Sequence, residues 1–287
     1  MIKKVYVRRN RGPELFIKGL IKLFIFLISL YLCESGMADS HFPESGGSKV
    51  PSVTLTILYD NNTYDNSLRT AWGFSCLIES EGKTILFDTG GDGQVLLNNM
   101  GVLEKDPKTI EIIVLSHTHG DHTGGLRRLL KINPNLKIYI PESFPQEFDR
   151  RAEDDGATVV RINAPLEIYQ GIYSTGEVGH GIKEQSLLMD TPKGKILITG
   201  CAHPGIIGVI KRAKTITRGN IYMAVGGWHL SSAGEKEIRG IIGAFLRMGI
   251  QKVAPCHCTG DRAMAMFKVA YGENYIKTGV GRIIKIE

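Results

Sequence analysis

The sequence predicts an α/β fold: a sandwich of two β-sheets with helices on its outer faces. Three features predict it. Short apolar runs of strand type alternate with segments whose apolar residues recur at helical spacing. Each half of the chain holds two such runs joined by a tight turn, which reads as a hairpin. Each half also ends a strand in a histidine-bearing loop, and a helix follows that loop. Two halves of this kind bury their apolar sheet faces against each other and leave the helices outside.

The elements follow in order. Val53 to Tyr59 alternates at period two, the pattern of a strand. Ser75 to Glu79 and Thr84 to Asp88 flank Glu81-Gly82 as the first hairpin. Gln94 to Met100 reads as a short helix. Ile112-Ile113-Val114-Leu115 is an apolar strand, and Gly124-Gly125-Leu126-Arg127-Arg128-Leu129-Leu130 opens an amphipathic helix. Lys137 to Ile140 is a strand stopped by Pro141. Ser186 to Asp190 and Lys195 to Thr199 flank Thr191-Pro192-Lys193-Gly194 as the second hairpin. Ile206 to Ala213 is helical, Asn220 to Val225 a strand, and Glu235 to Met248 an amphipathic helix. A last strong strand ends at Val253-Ala254-Pro255 before another helix.

At 287 residues, with 43% hydrophobic and 22% charged residues, the composition is that of an ordinary globular chain. The net charge of +6 belongs to one end. Residues 1–22 hold seven Lys and Arg against Glu14, so the rest of the chain sums to zero. No basic stripe remains to hold a phosphate backbone, which argues against a nucleic-acid partner. The basic start runs into Leu23-Phe24-Ile25-Phe26-Leu27-Ile28, part of an apolar run of signal-peptide length. Gly36-Met37-Ala38 then offers small residues for cleavage before Asp39. The run is short for a membrane span of about 20 residues, unless Leu15 to Leu20 extends it into an uncleaved anchor. The expected organisation is a signal peptide or N-terminal membrane anchor at 1–38, a Ser/Gly/Pro-rich linker at 39–50, and a catalytic domain at 51–287. The protein is then exported, periplasmic or extracellular, or held at the membrane through the N-terminal segment alone. It is cytoplasmic if Met37 is the true start. The five cysteines (Cys33, Cys76, Cys201, Cys256 and Cys258) show no zinc-ribbon spacing, and a chain of this length needs no disulfide scaffold.

The chemistry concentrates in Ser116-His117-Thr118-His119-Gly120-Asp121-His122-Thr123-Gly124-Gly125. Neutral imidazole is a common ligand for zinc and iron. His117 and His119, two apart in an extended loop, can turn the same way and chelate one ion. Asp121 and His122 then face a neighbouring position. Two ions about 3.5–4 Å apart can activate a water held between them. Four ligand-type side chains in six positions, directly after a buried strand, point to a metal centre rather than to a solvated polar loop.

This run resembles the His-x-His-x-Asp-His signature of the metallo-β-lactamase superfamily, and supporting matches extend the resemblance from about Val53 to the C-terminus. The resemblance implies a four-layer αββα sandwich with its metal site at the rim of the two sheets. It implies Asp88, in Asp88-Thr89-Gly90-Gly91, as a support for the metal loop rather than a ligand. His203, in Thr199-Gly200-Cys201-Ala202-His203-Pro204-Gly205, becomes the third ligand of the first ion beside His117 and His119. His257, in Pro255-Cys256-His257-Cys258, joins Asp121 and His122 on the second. Cys201 is a further candidate ligand, while Cys256 and Cys258 read as packing residues. One departure stands out. Most two-metal members carry a bridging acid after the strand that follows the third-histidine helix. Here Tyr222-Met223-Ala224-Val225 runs into Gly226-Gly227-Trp228-His229-Leu230, with no Asp or Glu. His229 can stand in as a ligand or proton donor, or contact substrate. His180, between two glycines, reads as a surface-loop residue.

Trp72-Gly73-Phe74-Ser75-Cys76, together with the loops around Cys201, His229 and His257, resembles the dihydropteroate-synthase-like branch. That branch includes 7,8-dihydropterin-6-yl-methyl-4-(β-D-ribofuranosyl)aminobenzene 5′-phosphate synthases. The expected function is a metal-dependent enzyme in which metal-activated water hydrolyses an ester, phosphoester or amide-type small molecule, with Asp121 orienting the water. The first alternative is the transferase that the branch implies, with the metal orienting a pyrophosphate leaving group. The second is a non-catalytic, exported metal-binding protein. The expected cofactor is one or two divalent ions, zinc first, with iron or manganese also suited to these donors.

Overall fold

The computed structural model describes residues 49–80, 82–216 and 219–287. The expected signal segment, nearly all of the linker and Glu81 of the first hairpin turn lie outside the described residues. So do Cys33 and His41.

The first sheet runs β13-β1-β2-β3-β4-β5-β6. Its strands are β1 (Val53–Tyr59), β2 (Ser75–Ser80), β3 (Lys83–Phe87), β4 (Ile112–Val114), β5 (Lys137–Pro141), β6 (Thr158–Ile162) and β13 (Ile283–Ile286). The hairpin strands pair antiparallel, with Leu77 opposite Leu86, and β3 to β6 pair parallel. The second sheet runs β12-β11-β10-β9-β8-β7. It holds β7 (Leu166–Tyr169), β8 (Ile172–Ser174), β9 (Leu187–Thr191), β10 (Gly194–Thr199), β11 (Ile221–Gly226) and β12 (Lys252–Pro255). Here too a hairpin, β9–β10, is followed by parallel partners β11 and β12. Among the described residues, seven α-helices accompany the sheets: α1 (Gly93–Val102), α2 (Gly120–Thr123), α3 (Leu126–Leu130), α4 (Gln146–Asp154), α5 (Ile206–Ile216), α6 (Glu235–Arg247) and α7 (Asp261–Tyr271).

Strand alternation explains the layers. Cys76, Ile78, Ile85, Phe87 and Val114 share one apolar cluster with Ile196, Ile198, Met223 and Val225 of the second sheet. The intervening Leu77, Leu86 and Ile113 face a different cluster, with Leu96, Met100, Leu126 and Leu129 of α1 and α3. Successive strand side chains point to opposite faces, so apolar residues at every position give a sheet covered on both sides. Each fully buried Leu, Ile or Phe contributes about 1.5–3 kcal/mol. On the outer face of the second sheet, Trp228 packs on Phe245 and Phe267, with ring centroids 4.9 and 4.8 Å away.

Several elements differ from the sequence expectation. The segment after β4 is not wholly extended: Gly120–Thr123 forms the helical turn α2, so Asp121 and His122 sit on a helix start. Pro141 continues β5, opposite Ile162. Strands β6, β7, β8 and β13 and helix α4 had no reading in the sequence. α4 is nearly all polar and buries only Ala152, so it has no apolar stripe to find.

Candidate metal centre

The candidate ligands sit in the loops and short helical turns at one rim, where β4, β10, β11 and β12 end. The loop after β4 is locked by contact with the loop after β3. A Cβ on Gly124 would stand 2.3 Å from Gly91 O, and one on Gly125 would stand 2.1 Å from Thr89 O. Glycine is therefore required at both positions for the two loops to touch. Asp88 lies beneath them, fully buried at φ 58°. Its Oδ1 accepts from Ser116 N at 2.7 Å, and its Oδ2 accepts from Ser116 Oγ at 2.7 Å. The same Oδ2 lies 2.7 Å from His122 Nδ1. Both oxygens of Asp88 are thus engaged by the Ser116 and His122 side of the loop.

The donors gather into overlapping groups. His117, His119 and His203 each offer a nitrogen, and these atoms lie within 4.8 Å of one another. Asp121, His122, Cys201 and His257 form a second group within the same limit, and Cys201, His203 and His229 a third. The structure brings together the residues that the sequence reading named as ligands, Cys201 among them as the further candidate. His180 is exposed and belongs to none of the three groups. Cys256 is buried, as a packing residue would be. Cys258 differs from its expected role, because its sulfur accepts from His229 N at 3.3 Å and lies against the site.

The imidazoles are oriented for metal. His117 Nδ1 lies 2.9 Å from Ser116 Oγ, and His257 Nδ1 lies 2.9 Å from Asn61 Oδ1. A histidine whose outer nitrogen is held by a neighbour presents the other nitrogen to an ion. His117 Nε2, His203 Nε2 and His257 Nε2 are buried with no hydrogen-bond partner. Buried polar atoms are almost always paired, so three orphaned nitrogens converging on one rim fit a divalent ion. Imidazole, carboxylate and thiol together suit zinc or iron.

The electrostatics agree. Burial, then the neighbouring His122, His119 and His203, push the His117 pKa far down, so its ring stays neutral. Burial and His229 bring His203 down to about 4. Burial opposes ionisation of Asp121, but the imidazoles of His257, whose Nε2 lies 3.4 Å from Oδ2, and of His122 outweigh it and hold the carboxyl at about 2. Burial also opposes charge on His122, yet the Asp88 carboxylate raises its pKa overall.

Sequence reasoning missed three supports, Asp60, Asn61 and Glu184, and gave Trp72 no place at the site. Asn61 and Asp60 follow β1, and Asp60 Oδ1 accepts from His257 N at 3.3 Å. Glu184 is fully buried, accepts from Ala202 N at 2.7 Å and approaches His117 Nδ1 at 3.5 Å. Trp72 is 57% exposed, with its ring 4.8 Å from that of His257. A polar pair after a strand reads as a turn, so nothing local marked Asn61 or Asp60.

Residues 73–219 match the metallo-beta-lactamase superfamily. The chain belongs to that superfamily. A superfamily relative from Methanocaldococcus jannaschii, 7,8-dihydropterin-6-methyl-4-(β-D-ribofuranosyl)-aminobenzene-5′-phosphate synthase, is 31% identical, over 83% of this chain and 98% of the relative. Among solved structures, Tm1679, described as a metal-dependent hydrolase of the β-lactamase superfamily, is 27% identical with a TM-score of 0.68, covering 82% of this chain and 98% of its own. The metallo-β-lactamase fold protein YhfI from Bacillus subtilis shares the fold at 13% identity and a TM-score of 0.61, over 81% and 99% of the two chains. The two mixed sheets and their flanking helices are the superfamily's αββα sandwich.

Proposed function

We propose that this chain is a metal-dependent transferase of the synthase type. It joins the 6-methyl carbon of a dihydropterin to the amino nitrogen of a 4-(β-D-ribofuranosyl)aminobenzene 5′-phosphate. The observation that carries this reading is the likeness to the M. jannaschii synthase, which runs through 98% of that relative. It therefore takes in the loops of the candidate metal centre as well as the superfamily core. Trp72 adds support. An exposed indole beside the His257 ring offers a flat face on which a heteroaromatic ring can stack.

In the reaction the amino nitrogen forms a bond to the pterin methylene carbon. The bond from that carbon to its diphosphate oxygen breaks, the electron pair leaves on oxygen, and the amine proton passes to solvent. His117, His119 and His203 would hold one divalent ion, and Asp121, His122 and His257 a second. When bound, such ions supply Lewis-acid stabilisation of charge on the leaving group. The chain's own residues position. Trp72 stacks the pterin, His229 at the exposed edge contacts substrate, and Asp88, Asn61 and Glu184 fix the imidazoles that meet the ions.

Hydrolysis is the second reading, favoured by the likeness to Tm1679. In that case Asp121, half-exposed and ionised, orients a water in place of the amine. A two-substrate assay separates the readings. Metal-loaded protein given the pterin diphosphate should form the joined product only when the aminobenzene ribotide is present. Diphosphate release at an equal rate with water alone would replace transfer by hydrolysis. No metal uptake and no turnover with either would overturn both and favour a protein of another kind.

A further inference from the structure

Cys201 stands between the two pockets. Its sulfur lies within 4.8 Å of donor atoms of Asp121, His122 and His257, and it groups equally with His203 and His229. His203 in turn belongs with His117 and His119. One sulfur thus reaches donors of both pockets. The nearest is His122 Nε2, at 3.1 Å. From metal–ligand lengths of about 2.1 Å for imidazole and about 2.3 Å for thiolate, two such donors on one tetrahedral ion stand about 3.5 Å apart. The observed approach lies close to that spacing.

The loop that would carry the superfamily's bridging acid leaves no room for one. A Cβ on Gly226 would fall 2.1 Å from Thr199 O. A Cβ on Gly227 would fall 2.4 Å from Gly200 O and 2.7 Å from Cys258 Sγ. Neither glycine can accept a side chain: Thr199 fills the space beside Gly226, and Gly200 O and Cys258 Sγ fill that beside Gly227. Trp228, the next residue, is buried against Phe245 and Phe267 instead. Cys258 is engaged otherwise: it accepts from His229 N and donates to Cys201 O at 3.7 Å.

We infer that Cys201 is the bridging ligand of a two-ion centre, its thiolate taking the place of the absent carboxylate, while Cys258 braces the loop from behind. To hold the ions Cys201 would act as a thiolate, its thiol proton going to solvent. A bridging thiolate also narrows the choice of ion, since soft sulfur suits zinc and iron and not manganese. The inference rests on the metal dependence proposed above.

Cobalt reconstitution of the full chain under reducing conditions tests it. The wild type should take up two ions and show a sulfur-to-cobalt charge-transfer band. Cys201→Ala should lose the band and one ion. Cys201→Asp should lose the band but keep both ions, because a carboxylate can bridge. Cys258→Ala should keep band and ions. X-ray absorption of the unmutated zinc protein removes any dependence on variants that fail to fold, and should place sulfur in the shell of both ions. Two ions with no sulfur in either shell, or a band lost in Cys258→Ala and kept in Cys201→Ala, would sink the bridge and leave the metal reading intact. No metal uptake by the wild type would sink both.

Discussion

The two pockets share the loop after β4 and differ in what completes them. The first draws His117 and His119 from that loop, behind which Ser116 and Asp88 form a single buried hydrogen-bonded unit, and takes one further ligand, His203, from the end of β10. The second takes Asp121 and His122 from the same loop, then collects Cys201 and His257 from the ends of β10 and β12. Of its distant ligands, His257 has a positive φ and is held by Asp60 and Asn61, partners far away in sequence. Among the described residues, five non-glycine positions have positive φ, and four of them (Asp88, Ala202, His229 and His257) lie at this rim. Such conformations cost about 1–3 kcal/mol each and persist where surrounding contacts fix them. The contrast teaches that a chelate carried on one loop is fixed by local geometry, while a pocket assembled from several loops depends on its outer partners.

The largest effect that can break this contrast is the loss of a direct ligand. His117→Ala should empty the first pocket and lower kcat/KM by about a thousandfold or more, as expected when the ion that stabilises developing charge is removed. Elemental analysis should show the second pocket still filled; loss of both ions together would mean that the pockets are not separate units. Next comes Asp88→Ala, which unpins His122 and the Ser116 loop at once. It should weaken metal affinity by about 10- to 100-fold in both pockets, measured by competition with a chelator. Asn61→Ala sharpens the comparison. It should weaken the second pocket by about tenfold and leave the first unchanged, because Asn61 touches only His257. An equal loss in both pockets would contradict the division. Trp72→Ala should raise KM by about 2- to 10-fold, from about 0.5–1.5 kcal/mol of lost stacking, with kcat and metal content unchanged.

The smallest effect concerns Glu184, beneath the first pocket. Burial raises its carboxyl to about 7, against backbone N–H groups of His203 and Ala202 and the His122 charge, from an ordinary value of 4.5. The folded value lies above the unfolded one. Its contribution to stability is therefore fully present below pH 4.5 and is lost as pH rises through about 7. Metal-stripped Glu184→Gln, which stays neutral, should lose that part of the pH dependence. Its melting temperature should exceed that of the wild type above about pH 7 and match it near the acid end of the window. Parallel melting curves for the two proteins would contradict the assignment.

How much could be read from the chain alone follows the same division. The strand before His117, the His-x-His-x-Asp-His run and the glycines after it are neighbours in sequence, so their chemistry and their place in an α/β sandwich were legible. His203 and His257 entered through the superfamily resemblance of the runs that hold them, and the structure brings both to the same rim. Cys201 was visible as a candidate, but its position between the pockets depends on the parallel pairing of β10 with β11 and β11 with β12, which no local pattern encodes. Asn61 and Asp60 act on His257 from nearly 200 residues away. Cys258 was read as packing on the expectation of an extended loop. The 3-10 turn at His257–Thr259 instead turns its sulfur toward the His229 loop.

The pairing of β13 with β1, Val53 opposite Ile286 and Leu55 opposite Ile284, sets an order of events. A ribosome delivers β1 more than two hundred residues before its outer partner. Until Ile283–Ile286 emerges, the edge of the first sheet carries unpaired N–H and C=O groups, an invitation to pair with another nascent chain. The His-x-His-x-Asp-His loop can be built early, yet the sheet that supports it is completed by a strand made long after it. A ribosome stalled just short of β13 would release a chain that holds every metal ligand and still lacks a finished edge.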